Sequence, residues 1–82
     1  MAKAVKLAPT PFSKEIQSLE DLGKHIMYQR TKLQLSRQSA ADLCGINYKT
    51  LENIEKANEN VRVGNLLQVI NMLGLNLVVE DK

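Results

Sequence analysis

Residues 36–55, SRQSAADLCGINYKTLENIE, decide how the rest of the chain is read. Ser36 stands before a helical stretch, where its hydroxyl suits a helix N-cap. Two short helices that cross steeply need a small residue where they touch, and Ala41 supplies it. They also need a residue free to turn where the chain reverses, and Gly45 follows four positions later. Cys44 and Ile46 flank that glycine as buried positions should. Asn47 can cap the next helix, and Leu51 and Ile54 form an i, i+3 pair that anchors it. Short helix, tight turn, short helix is the helix-turn-helix arrangement, whose second helix is built to enter a DNA major groove.

The flanks agree with that reading. Ser18 followed by Asp21 is a variant capping box. Leu19, Leu22, Ile26, Arg30 and Leu33 then recur at helical spacing, with Met27 beside them, and predict a first helix over 19–33. The motif contributes helices at 37–44 and 48–56. A polar loop, 57–60, leads to a fourth helix over 63–73, carrying Val63, Leu66, Leu67, Ile70 and Leu73 and ending at Gly74. The last stretch, LNLVVE at 75–80, is β-branched and partly alternating, and predicts a strand. Lys3, Lys6, Lys14, Pro9 and Pro11 near the N-terminus form a basic arm outside the helical core.

Composition sets the outer limits. Eighty-two residues make one domain,. With two Tyr, one Phe and no Trp, the core must be built from Leu, Ile, Val, Ala and Met. One cysteine and one histidine exclude an internal disulfide framework and Cys- or His-pair metal sites,. Cys44 reads as a small buried hydrophobe, and His25 as a surface residue on the first helix. No apolar run approaches the length of a membrane span and the N-terminus lacks a signal-like apolar stretch, so the cytoplasm is the expected site of action. No catalytic set and no phosphate-cradling glycine loop appears, and no cofactor is expected. The net charge of +2 is unevenly spread: residues 1–37 are net basic and residues 38–82 net acidic.

Residues 36–55 resemble the phage-repressor/Cro-type (XRE) family, and LLQVINMLGL at 66–75 resembles that family's fourth helix. The resemblance covers about 18–75. It implies a mainly α, four- to five-helix domain, and the terminal strand makes it similar to HipB-type antitoxins, in which such strands pair across a dimer. A lone strand leaves a row of unpaired backbone groups, and pairing with a symmetry mate removes them. The rival partner for the strand is the arm segment 4–7. The expected organisation is a flexible basic arm (1–17), a DNA-binding domain (18–75) and a dimerisation strand and tail (76–82), with Leu75, Leu77, Val78 and Val79 at the dimer contact.

The resemblance implies that the second motif helix presents Tyr48, Lys49, Glu52 and Asn53 to base edges, with Asn47 at its mouth and Thr50 also among the DNA-binding residues. Asn53 suits adenine, Lys49 guanine or phosphate, and Glu52 a cytosine amino group. Tyr48 offers a hydroxyl to phosphate and a ring to a thymine methyl. Ser36, Arg37 and Gln38 open the preceding helix, where N–H groups and the helix dipole favour phosphate. Lys56 and Arg62 flank the set as phosphate contacts. Two departures stand out. Arg37 occupies a place where the family commonly has Gln, and Glu52 faces where phosphate would repel it. Glu52 therefore reads equally as a surface partner of Lys49 or Lys56. Glu55 reads as a structural carboxylate holding the loop or Arg30. The partners implied are operator DNA, a second copy of the chain and a HipA-like toxin kinase. The alternatives are a stand-alone phage-type repressor, a HigA-like antitoxin with another toxin, or a module that binds only protein.

Overall fold

The computed structural model describes residues 5–11, 15–58 and 60–81. Among these residues four helices follow one another: α1 (Leu19–Lys32), α2 (Arg37–Cys44), α3 (Tyr48–Glu55) and α4 (Val63–Met72). Each of the first three begins at the expected cap. Ser18 accepts a hydrogen bond from the Asp21 N–H, Ser36 from Ser39 and Asn47 from Thr50. Each satisfies one orphan donor of its helix. The capping box of α1 closes one residue early, because the Asp21 carboxylate accepts from the Gln17 N–H at 3.1 Å.

All four helices stop in the same way. The N–H two residues past the last turn reaches back to a carbonyl five positions earlier: Leu35 to Arg30, Ile46 to Ala41, Asn58 to Asn53 and Leu75 to Ile70, at 2.9–3.1 Å. This requires a left-handed residue in between. Gly45 (φ 71°) and Gly74 (φ 78°) take that place after α2 and α4, whereas Gln34 (φ 61°) and Ala57 (φ 59°) take it after α1 and α3. Leu33, Lys56 and Leu73, expected as last helical residues, are C-caps instead.

The core is aliphatic, as the composition requires. Ile26, Ala40, Ala41, Leu51, Ile54 and Val69 are fully buried, and Cys44, Ile70 and Leu73 nearly so. Leu22, Leu35, Ile46, Val61, Leu66 and Leu75 pack against them. α3 lies between α1 and α2, and α2 also packs on α4. The α1–α3 approach depends on Gly23. A Cβ there would fall 2.7 Å from the Glu55 carbonyl oxygen and 2.8 Å from that of Ile54. A glycine in mid-helix costs propensity, and here it lets two backbones meet. The turn of the motif is tied to α4 by the Gln68 side-chain amide, which donates to the Cys44 carbonyl.

The arm segment 5–11 carries no helix or strand but is fastened to α1. The Gln34 side-chain amide makes a reciprocal pair with the Val5 backbone, donating to its carbonyl and accepting from its N–H, both at 3.2 Å. The Thr31 hydroxyl accepts from the Ala8 N–H at 2.9 Å. His25 is half-buried, in a groove between this segment and α1. Lys3 and Lys14 of the expected arm, and Lys82 of the expected tail, lie outside the described residues.

The predicted strand is not present: among the described residues no strand is assigned, and 75–81 carry no regular structure. The physical reason is that a strand exists only against a ladder partner. Residues 5–7 do not serve as one, since the Val5 backbone is turned to Gln34. Leu75, expected at a dimer contact, packs against its own chain's core. Leu77, Val78 and Val79 are 52%, 69% and 94% exposed.

Candidate nucleic-acid interface

The organising group of the motif is a buried carboxylate. Glu55, at the end of α3, has a fully buried side chain, and Arg30 from α1 is nearly as buried. Arg30 Nε lies 2.6 Å from Glu55 Oε2 and its Nη2 lies 3.1 Å from Oε1, a two-point pairing,. The remaining Arg30 nitrogen donates to the Leu35 carbonyl at 2.9 Å. Arg37, first residue of α2, adds Nε and Nη2 to Glu55 Oε1, both at 3.1 Å. One carboxylate thus joins the end of α1, the start of α2 and the end of α3. Glu55 is structural, and its partners are Arg30 and Arg37 together.

A second carboxylate lies nearer the surface. Glu52 Oε1 is 2.8 Å from Lys49 Nζ, and Oε2 is 3.5 Å from Lys56 Nζ and 3.6 Å from Arg37 Nη1. The hydrogen bond from Lys49, with Lys56 close by, holds the Glu52 carboxyl below the usual carboxylate range, over the opposing effect of desolvation,. Arg37 also reaches the Tyr48 hydroxyl at 3.4 Å and stands 5.7 Å from the centre of its ring, a cation–π distance.

The residues singled out from the sequence therefore fall into four sets. Arg37, Tyr48, Lys49, Glu52 and Lys56 form one charged cluster on the outer side of α3. Asn53 accepts a hydrogen bond from Asn58 at 2.7 Å. With Thr50 and Arg62 it lines a small notch between α3 and the start of α4. Ser36 and Asn47 are helix caps whose side-chain oxygens are committed to backbone N–H groups. Gln38, on α2, donates to Asp42 at 3.0 Å.

Sequence reasoning missed the bridging place of Arg37, which joins Glu55, Glu52 and Tyr48 on the motif itself. The signal was available. Glu52 and Glu55 are three residues apart on one helix and so share a face, and that face needs cations from another element. Gly23 and the Gln34–Val5 pair were missed as well. A mid-helix glycine was the only mark of the first, and nothing local marked the second. No helix among the described residues is long and apolar enough to cross a membrane.

No protein-family model matches the chain, and no curated protein is significantly similar to it in sequence. Solved structures are similar in shape. A chain of the HipA-HipB-O2-O3 complex aligns at TM-score 0.75 with 20% identity, over 84% of this chain and 97% of that one. The HipB-O4 20mer complex gives the same TM-score, identity and coverage. The restriction-modification controller protein C.AhdI from Aeromonas hydrophila aligns at TM-score 0.63 with 26% identity, over 71% of this chain and 84% of that one. The chain has the helix-turn-helix fold of HipB and C.AhdI, the XRE-type likeness expected from residues 36–55 and 66–75.

Proposed function

We propose that the protein is a sequence-specific, double-stranded-DNA-binding transcriptional repressor that acts as a homodimer. More narrowly, it is the antitoxin of a HipBA-like operon, repressing that operon and neutralising a HipA-like kinase. The observation that carries the DNA reading is the outer side of α3. Lys49, Lys56 and Tyr48 are exposed there, and Asn53 is half-exposed beside them. These are side chains suited to phosphate and base edges. The helix that bears them is set by a buried ion-pair clamp, so the reading surface is rigid before any ligand arrives. The structural likeness to a HipA-HipB-O2-O3 complex supports the narrower reading.

Dimerisation is proposed through 77–81. Three consecutive apolar side chains stand exposed there on a segment with no ladder. Pairing with the same segment of a second copy covers both the side chains and the backbone groups. A two-fold dimer sets two α3 helices about 34 Å apart, one DNA turn, on a palindromic site.

The test is a gel shift on the DNA upstream of the protein's own coding sequence, together with co-purification from the native host. Wild type is expected to shift that DNA and to bring down a kinase-sized protein. Lys49→Ala and Asn53→Ala are expected to lose the shift while circular dichroism stays unchanged. Normal shifts from both variants refute the assignment of α3. A second reading is favoured by the 26% identity to C.AhdI. Under it the protein is a controller without a toxin partner, and DNA is retained with no kinase in the co-purification.

A further inference from the structure

We propose that Glu52 is a positioning and specificity residue of the DNA face. It acts as an internal counter-ion for Lys49, Lys56 and Arg37, and does not read a base. The inference rests on the reading of α3 as DNA-binding and assigns one of its residues a role other than contact.

The geometry is that of a cage. Both carboxylate oxygens are engaged, Oε1 by Lys49 at 2.8 Å and Oε2 by Lys56 at 3.5 Å and Arg37 at 3.6 Å. The Glu52 side chain is 17% exposed, whereas those of Lys49 and Lys56 are 73% and 59% exposed. The carboxylate therefore lies beneath its ammonium partners. An approaching phosphate meets the lysines first, and a cytosine amino group would have to displace them to reach an oxygen. The three cations differ in how firmly they are held. Arg37 is fixed from two further sides, by Glu55 and by Tyr48. Lys49 and Lys56 are on long, exposed stems and can swing from carboxylate to phosphate.

The consequence is a threshold. Each lysine that engages a phosphate gives up its pairing with Glu52. Contact with a random backbone is thereby weakened, because it exchanges one anion for another. A cognate site adds base contacts that drive the exchange. Glu52 thus lowers non-specific binding, the sequence-independent part that phosphate neutralisation supplies.

The test measures binding of a fluorescein-labelled random-sequence 25-bp duplex by anisotropy, from 50 to 200 mM KCl, for wild type and Glu52→Gln. The variant is expected to bind several-fold tighter at 50 mM. Its log–log salt slope is expected to steepen by about 0.9 for one added phosphate contact. Its advantage over wild type then shrinks by about 3.5-fold across that fourfold salt range. Equal affinity and slope, or weaker binding by the variant, overturn the inference. If circular dichroism shows that Glu52→Gln does not fold, Glu52→Asp carries the test. It retains the charge but draws it back from Lys49, and the same steepening is expected in smaller measure. Failure of wild type and variant to bind any duplex at 50 mM KCl refutes the DNA reading itself, and the inference with it. Binding by both with one common slope refutes the inference alone.

Discussion

The same substitution at two glycines is expected to act in opposite directions. Gly23→Ala would place a methyl 2.7 Å and 2.8 Å from the carbonyl oxygens of Glu55 and Ile54. Helix propensity favours the alanine by about 0.8–1.0 kcal/mol. The clash is with backbone, not with a side chain that can rotate away, so relief requires α1 and α3 to separate. Overpacking of this kind costs about 1–3 kcal/mol, and a double contact with backbone belongs at the upper end. The net expectation is a loss of about 2 kcal/mol, from the difference of those two effects. At about 4–8 °C per kcal/mol for a domain of this size, the melting temperature falls by roughly 8–16 °C. Gly64 in the first turn of α4 has nothing within 4 Å of its would-be Cβ. Gly64→Ala is therefore expected to raise stability by about 0.5 kcal/mol, chiefly by restricting the unfolded chain. Thermal and urea melts by circular dichroism, at one fixed protein concentration because the proposed dimerisation would contribute to apparent stability, decide both. A Gly23→Ala protein as stable as wild type would refute the claim that α1 and α3 touch backbone to backbone.

Three further outcomes follow from the ion pairs and the tail. Glu55→Gln leaves Arg30 and Arg37 without their shared anion; removing one partner of a buried pair costs about 3–5 kcal/mol, and a urea-melt loss below about 1 kcal/mol would contradict the clamp. The Glu52 carboxyl, held low by Lys49 and Lys56, is expected to titrate below the usual carboxylate range by carbon-detected NMR, and higher once Lys49 is replaced by Ala. With the folded value depressed, its contribution to stability is present above the unfolded value and is lost as pH falls through the folded one; a midpoint no lower than that of an ordinary exposed Glu would exclude the cage. Truncation after Asn76 keeps Leu75 in the core and removes 77–82. It is expected to give a folded monomer by sedimentation, and a persisting dimer would move the interface elsewhere.

The elements that were legible in the sequence carry their signals locally. Ser18, Ser36 and Asn47 are caps by residue type and position. Gly45 and Gly74 end helices by being glycines. Gln34 and Ala57 end two more in the same left-handed conformation, but neither residue type advertises it, so the sequence does not mark how those helices end. The strand read at 75–80 is absent among the described residues, because β structure depends on a neighbour that the local pattern does not contain,. The exposed set on α3 was legible from helical spacing, since Leu51 and Ile54 fix which way the helix faces. How its charges pair was not, because Arg37 is brought to Glu52 and Glu55 by the crossing of two helices. Arg37, expected as a phosphate contact, also braces two carboxylates.

Cys44 has a practical consequence. It is the chain's one cysteine, the last residue of α2 and only 1% exposed, and burial pushes its thiol up. Occlusion and scarcity of thiolate both slow its reaction with a maleimide or iodoacetamide. Labelling must wait for the segment between α2 and α3 to open. The alkylation rate followed by intact-mass spectrometry is therefore a stopwatch for opening at the centre of the motif. It needs no engineered probe, and it should slow whenever a ligand holds the two helices together.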